Sequence, residues 1–127
     1  MLYDKRWDKT EIKADNEIVT ALRKAREIIS DPTKWTCGNY AIDSDGRWVG
    51  TDNPSAVSFC SVGALAVVLG LPVRKAEESG ACKFLVRAAE EQGCQYAHDV
   101  NDKGHAHAIA MFDRAIDLAS CPQETTP

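Results

Sequence analysis

The spacing of apolar residues along the chain is mostly that of α-helices, in which every third or fourth residue shares a face. The first predicted helix has apolar positions at steps of four, three and four residues, namely Ile18, Leu22, Ala25 and Ile29. Asp15 can cap the start of this helix. Pro32 ends it, because proline disfavours helical geometry in the residue before it.

Three further helices are predicted. The second begins near Pro54, since proline is favoured at a first helical position, and ends at Gly70. The third covers residues 77–92 and has an inner face of Ala81, Leu85, Ala88 and Ala89. The last begins after a cap at Asp102, and its apolar positions are Ile109, Phe112, Ile116 and Ala119.

The segment from residue 34 to 50, KWTCGNYAIDSDGRWVG, breaks the helical period. Its aromatic and apolar residues flank DSDG, a turn signal in which Gly46 can adopt a positive φ, and we predict a β-hairpin there. Residues 94–100 alternate weakly and indicate a short strand. The predicted fold class is therefore α+β, predominantly helical, with about four helices packed in one layer-on-layer core and a small β-hairpin.

The length of 127 residues is that of one domain. Such a domain buries roughly two-thirds of its unfolded surface and needs neither a metal nor disulfides for stability. We interpret residues 1–14, which mix charges with aromatic side chains, as an N-terminal arm. Residues 15–121 are then one globular domain, and residues 122–127 are a frayed tail.

Composition and charge exclude several function classes. The formal charge of −4 and the pI near 5.3 argue against a nucleic-acid partner, which needs a basic face. The longest apolar run, Val62–Leu71, is about half the length of a membrane span, and no secretory signal opens the chain. Five cysteines at irregular spacing indicate reduced thiols in a cytoplasmic protein. The sequence contains no glycine-rich phosphate loop, so nothing in it points to a bound nucleotide. We expect no cofactor.

Cys60 stands at the head of an apolar run and has two interpretations. If the second helix begins near Pro54, Cys60 lies about two turns inside it and belongs to a stripe of small residues that lets another helix approach closely. The other members of that stripe are Gly63, Ala64 and Val67. If the helix begins at residue 58 or 59, Cys60 lies in the first turn, where the helix dipole lowers a thiol pKa and favours reactivity.

A reactive Cys60 would need a histidine base oriented by a third polar group. All three histidines lie in the segment HDVNDKGHAH, residues 98–107. The predicted catalytic set is Cys60 as nucleophile and His105 as base, with Asp102 or Asn101 as the orienting group. In the alternative interpretation, Asn101 and Asp102 only form a turn and cap the last helix.

The same segment does not predict a metal site. His105 and His107 are two residues apart, which places them on nearly opposite sides of a helix. The sequence also contains neither a CxxC pair nor an HExxH motif. We therefore expect no metal.

The tryptophans suit a recognition surface. Trp7, Trp35 and Trp48 lie in the predicted arm and hairpin, outside the helical core, and exposed aromatics are typical of binding sites. The candidate partner-binding residues are Trp35, Tyr40, Trp48 and Asn101. The alternative is that the aromatics form a lid over the end of the helices.

Three separated segments carry a resemblance to a known family. ALRKAREIISDPTKWTCGNYAIDSDG, then SFCSVGAL, then NDKGHAHAIAMFDRAI, resemble an uncharacterised family of short bacterial and phage proteins over about residues 16–119. Phe59 and Val100 stand where that family more often has tryptophan. The resemblance implies a cytosolic protein of bacterial or phage type in which Cys60, Gly63 and the Asn101–Asp102 pair matter.

A narrower resemblance covers the cysteine segment. CSVGALAVVLGLPVRKAEESG is similar to the cysteine helix of NlpC/P60 cell-wall peptidases, although Phe59 replaces the aspartate that precedes their cysteine. In those enzymes the histidine lies on a β-sheet, whereas the segment after His105 is predicted to be helical.

The sequence therefore leads to two functional hypotheses. The first is a small cytosolic, non-enzymatic interaction or regulatory protein of bacterial or phage type, such as a phage inhibitor or accessory factor, which binds a protein partner. The second is a cysteine-dependent hydrolase with Cys60 as nucleophile and His105 as base.

Overall fold

The computed structural model describes the backbone of residues 5–120 and the side chains of residues 17–120. Within this range the elements are α1 (Lys5–Ser30), a 3-10 turn (Pro32–Lys34), β1 (Ala41–Ile42), β2 (Ser58–Phe59), α2 (Ser61–Leu69), α3 (Val73–Glu77), α4 (Gly80–Glu91), α5 (Ala97–Asn101) and α6 (His105–Ser120). Helices α1 and α6 pack together; α2 contacts α1, and α4 contacts α6. The predicted class is confirmed: the fold is α+β and mainly helical, with one antiparallel pair of strands.

The core lies between the long helices and is apolar. Its largest fully buried apolar side chains are Leu22, Ile29, Leu65, Leu85, Val100, Met111 and Phe112. The predicted inner face of the third helix is confirmed, because Ala81, Leu85, Ala88 and Ala89 are all buried. Alanine lines much of the helix contacts, and its small side chain allows the helices to approach closely.

The strand pairing differs from the predicted hairpin. The DSDG turn forms as expected, with the Gly46 amide donating to the Asp43 carbonyl at 2.9 Å. However, β1 pairs with β2, in the register Ala41 with Phe59, and Trp48 contributes only an isolated bridge to Ile42. The Asp43 carboxylate accepts backbone hydrogen bonds from within the turn, which closes a tight loop before a second strand can extend.

The predicted starts of the first two helices are wrong. Helix α1 begins at Lys5, so Asp15 lies inside it and is not its N-cap. Helix α2 begins at Ser61 and not near Pro54, because the Asn53 side chain accepts a hydrogen bond from the Ser55 amide and folds that segment into a turn. The remainder of the predicted arm, residues 1–4, and the predicted tail, residues 122–127, lie outside the described residues, as does the Trp7 side chain.

The second half of the chain contains more breaks than predicted. The helix expected over residues 77–92 is α4, which begins only at Gly80 because the Ser79 hydroxyl accepts a hydrogen bond from the Cys82 amide and caps it. The short helix α3, which precedes it, was not predicted. The prediction of a short strand over residues 94–100 is wrong, because residues 97–100 belong to helix α5. Asp102 lies at the C-cap of α5, and α6 begins at His105.

Among the glycines described, Gly63 makes the closest approach to a neighbouring segment. A Cβ atom at this position would fall well inside van der Waals contact with the Tyr40 carbonyl oxygen. The predicted close packing at Gly63 is thus confirmed, although the neighbour is the backbone beside β1 and not a helix. Cys60 and Ala64 are buried as a packing face requires, whereas Val67 is 39% exposed.

We expect the substitution Gly63→Ala to destabilise the protein. The added methyl group must displace the Tyr40 backbone, and overpacking of this kind costs about 1–3 kcal/mol. Because the added methyl group meets backbone atoms and not a flexible side chain, the cost falls toward the upper end of this range and exceeds the gain of about 1 kcal/mol that alanine normally gives over glycine inside a helix. Urea denaturation followed by circular dichroism measures the change. Val67→Ala, on the exposed side of the same helix, is the control; equal free energies of unfolding for both variants would contradict the close approach.

Candidate functional site

Asn101 holds three parts of the chain together. Its Oδ1 atom accepts hydrogen bonds from Trp35 Nε1 at 2.8 Å, the Ser61 amide at 3.1 Å and the Ser61 hydroxyl at 2.8 Å. Its Nδ2 atom donates to the Thr36 carbonyl at 3.0 Å. The side chain is 1% exposed, so these bonds satisfy an amide that would otherwise be costly to bury. Asn101 thereby joins α5 to the start of α2 and to the segment before β1.

Cys60 is the N-cap of α2. Its Sγ atom accepts a hydrogen bond from the Gly63 amide at 3.3 Å, while Asn101 Oδ1 accepts one from the Ser61 amide. Burial raises the pKa of the Cys60 thiol to about 11; the backbone hydrogen bonds act against the shift, and the negative charge of Asp102 adds to it. Cys60 therefore lies at a helix start, but it stays a protonated thiol at neutral pH. The cost of burying a thiolate exceeds the stabilisation that the backbone amides of the helix start would give it.

A cleft of about 300 Å³ opens beside Cys60 and Asn101. Its lining residues are Gly38, Asn39, Tyr40, Trp48, Cys60, His98, Asn101 and Asp102. Tyr40 is half-buried, and its hydroxyl donates to Glu77 Oε2 at 3.4 Å. Burial and the neighbouring Glu77 charge raise the pKa of Tyr40, which stays a neutral phenol. Trp48 is 67% exposed, so the cleft combines a fixed floor with an open aromatic edge.

The proposed catalytic residues divide between two places. Cys60, Asn101 and Asp102 line the cleft, whereas His105 is not among the lining residues. The His105 Nε2 atom lies 2.6 Å from the Ile29 carbonyl oxygen and must donate to it, because a carbonyl only accepts. Its ring also meets Trp35 edge-on, with centroids 5.6 Å apart. His105 thus caps the end of α1.

The proposed partner-binding residues also divide. Trp35 and Asn101 are hydrogen-bonded to one another and support the fold. Tyr40, Trp48 and Asn101 line the cleft, whereas Trp35 is not among its lining residues. The histidine that lines the cleft is His98, which sequence reasoning did not select. Once residues 97–101 are known to be helical, His98 and Asn101 share a face three residues apart.

Two further observations concern the described part of the chain. No three His, Cys, Asp or Glu side chains there are grouped so that they could hold a metal ion. None of the helices described is both long and apolar enough to cross a membrane.

Residues 13–118 match the model of DUF6197, a family of unknown function. The chain belongs to this family. The expected membership of an uncharacterised family is thereby confirmed, and the match covers every element from β1 to α5 in full. No curated protein and no solved structure matched the chain. The likeness of this DUF6197 chain to NlpC/P60 peptidases found no support in these comparisons.

Replacing Asn101 tests its role in the DUF6197 fold. We expect Asn101→Ala to lower the free energy of unfolding by about 3 kcal/mol, because buried groups of Trp35, Thr36 and Ser61 would lose their partner. Chemical denaturation gives the value. Asn39→Ala, an exposed amide in the same cleft, is the matched control and should change stability by less than about 0.5 kcal/mol. Similar values for both variants would show that Asn101 is not a structural centre.

Alkylation of the folded DUF6197 chain tests the state of Cys60. Because the raised pKa leaves little thiolate near neutral pH, we expect iodoacetamide to modify exposed Cys37 and to spare Cys60. Modification of Cys60 should increase only as the pH approaches about 11 or when the chain unfolds. Peptide mapping by mass spectrometry distinguishes the sites. Rapid modification of Cys60 in the folded state near neutral pH would instead favour a reactive thiol.

Proposed function

We propose that this chain is a small, non-enzymatic binding protein of the bacterial or phage cytoplasm, and that it recognises a protein partner through the cleft and Trp48. The observation that carries the proposal is the placement of Trp48. An indole that is 67% exposed at the edge of a concave site is the kind of anchor that dominates protein interfaces.

The rigidity of the cleft supports this function. The Asn101 hydrogen bonds fix the cleft floor, and the contact of Gly63 with the Tyr40 backbone fixes one wall. A site whose walls are already ordered loses less conformational entropy when a partner binds. The Trp48 side chain, in contrast, is exposed at the edge of the cleft, where a partner can reach it.

The chemistry of the lining residues favours binding over hydrolysis. Cys60 is a buried, protonated thiol that is already used as a helix cap. His105 donates to Ile29 and is absent from the cleft lining. A nucleophile that is not ionised and a base that is committed elsewhere do not form the pair that thiol catalysis needs. The free thiol of exposed Cys37 is compatible with the reducing cytoplasm of the proposal.

Site-specific photocrosslinking tests the proposed surface. A photoreactive phenylalanine analogue replaces Trp48 in one variant and Glu90, exposed on α4, in the control variant, and both are expressed in bacterial cells. We expect a discrete crosslinked protein only from position 48, which mass spectrometry then identifies. Identical products from both positions, or none from position 48, would contradict the proposal.

A binding measurement with the identified protein completes the test. We expect Trp48→Ala to weaken its binding by about 2 kcal/mol, roughly thirtyfold, as removal of an interface anchor does. Glu90→Ala should leave the dissociation constant unchanged. Isothermal titration calorimetry measures both, and equal affinities for the two variants would remove Trp48 from the interface.

A further inference from the structure

The cleft combines aromatic walls with negative charge. Tyr40 and Trp48 provide the aromatic surface, and the Asp102 carboxylate lies among the lining residues. Glu77 adds a second carboxylate at the Tyr40 hydroxyl. No lysine or arginine is among the lining residues described, so the site is poorly suited to an anion.

The Asp102 carboxylate is exposed and has no ion pair or hydrogen bond with another described residue. The basic residues next to the lining positions in sequence are engaged elsewhere. Arg47 Nη2 lies 2.7 Å from Asp45 Oδ2, and Lys103 Nζ donates to the Gln92 carbonyl at 3.3 Å. Neither of these two described cations therefore neutralises the Asp102 carboxylate.

The size of the cleft and the chemistry of its lining residues favour one planar cation. Pockets for drug-sized ligands run from about 300 to 1,000 Å³, and this cleft is at the lower end, which suits a single side chain. A guanidinium group is planar, stacks on aromatic faces and donates paired hydrogen bonds to a carboxylate. An ammonium group has neither the plane nor the fork of donors.

We propose that the cleft binds an arginine side chain of the protein partner, with its guanidinium group stacked on Trp48 and paired with Asp102. This assignment rests on the proposed binding function and names the chemistry that the partner presents. His98 also lines the cleft. Its Nε2 atom lies 3.5 Å from Asp99 Oδ1, and its ring stacks on Tyr96. Its ring is thus directed by these neighbours and leaves Asp102 available.

A blocked arginine provides a direct probe. Nα-acetyl-arginine methylamide is titrated into the ¹⁵N-labelled protein, and the amide and indole resonances are followed by NMR. We expect saturable shifts at the Trp48 indole and at residues 38–40 and 102, with a dissociation constant in the millimolar range. Nα-acetyl-citrulline methylamide, a neutral molecule of the same shape, is the ligand control and should bind at least about tenfold more weakly, because a charge-assisted hydrogen bond is lost.

Two variants test the residues of the site. Asp102→Asn should weaken binding of the arginine probe at least about tenfold, and Trp48→Ala should remove the stacking contribution and the indole signal. Both side chains are exposed, and circular dichroism verifies that each variant is folded. Asp117→Asn, which removes an equal charge from the outer side of α6, should leave binding unchanged. Equal binding of citrulline, equal binding by Asp102→Asn, or no saturable binding would each overturn the proposal.

The probe and the crosslinking experiment separate the two proposals. A crosslinked partner at position 48 combined with no arginine binding would overturn the arginine assignment and leave the binding function in place. Arginine binding that depends on Asp102, combined with no crosslinked protein, would support cation recognition by the cleft and overturn the protein partner.

Discussion

The Asn101 side-chain amide is the interaction on which this structure depends. A single oxygen accepts three hydrogen bonds, one of them from the first amide of α2, and the nitrogen holds the Thr36 carbonyl. Buried amides are stable only when their partners are complete, so the positions of three segments are fixed together. The cleft is the space that remains beside this arrangement, and its floor is as rigid as the hydrogen bonds that form it.

Two opposing physical effects act on the pKa of the Cys60 thiol. The start of a helix stabilises an anion, whereas burial destabilises it. At 4% exposure burial prevails, and the thiol serves as a neutral acceptor for the Gly63 amide. A helix start is therefore not sufficient to activate a cysteine; the thiolate must also be reachable by water or by a cation. The negative Asp102 beside this thiol increases the bias toward the protonated form.

The helical period of the sequence predicted the main helices and the class of the fold, because burial of one face decides those elements. It also placed Gly63 in a close-packing stripe, whereas the importance of Asn101 was implied by the family resemblance and not by the period. The helix starts could not be predicted in the same way: side chains such as Asn53 and Ser79 compete locally for backbone amides, and several outcomes have similar energies. Residues 97–101 form too short a helix to show a period, so the position of His98 in the cleft depended on tertiary contacts.

The partners of Asn101 are distant along the chain. Ser61, Thr36 and Trp35 are separated from it by 40, 65 and 66 residues, respectively. Such contacts require the closure of long loops and form late relative to the individual helices during folding. Most of the chain must therefore be synthesised and assembled before the cleft exists, and a partially folded chain cannot present it. Recognition at this site would thus report on the completion of folding, and an occupant would stabilise the whole domain.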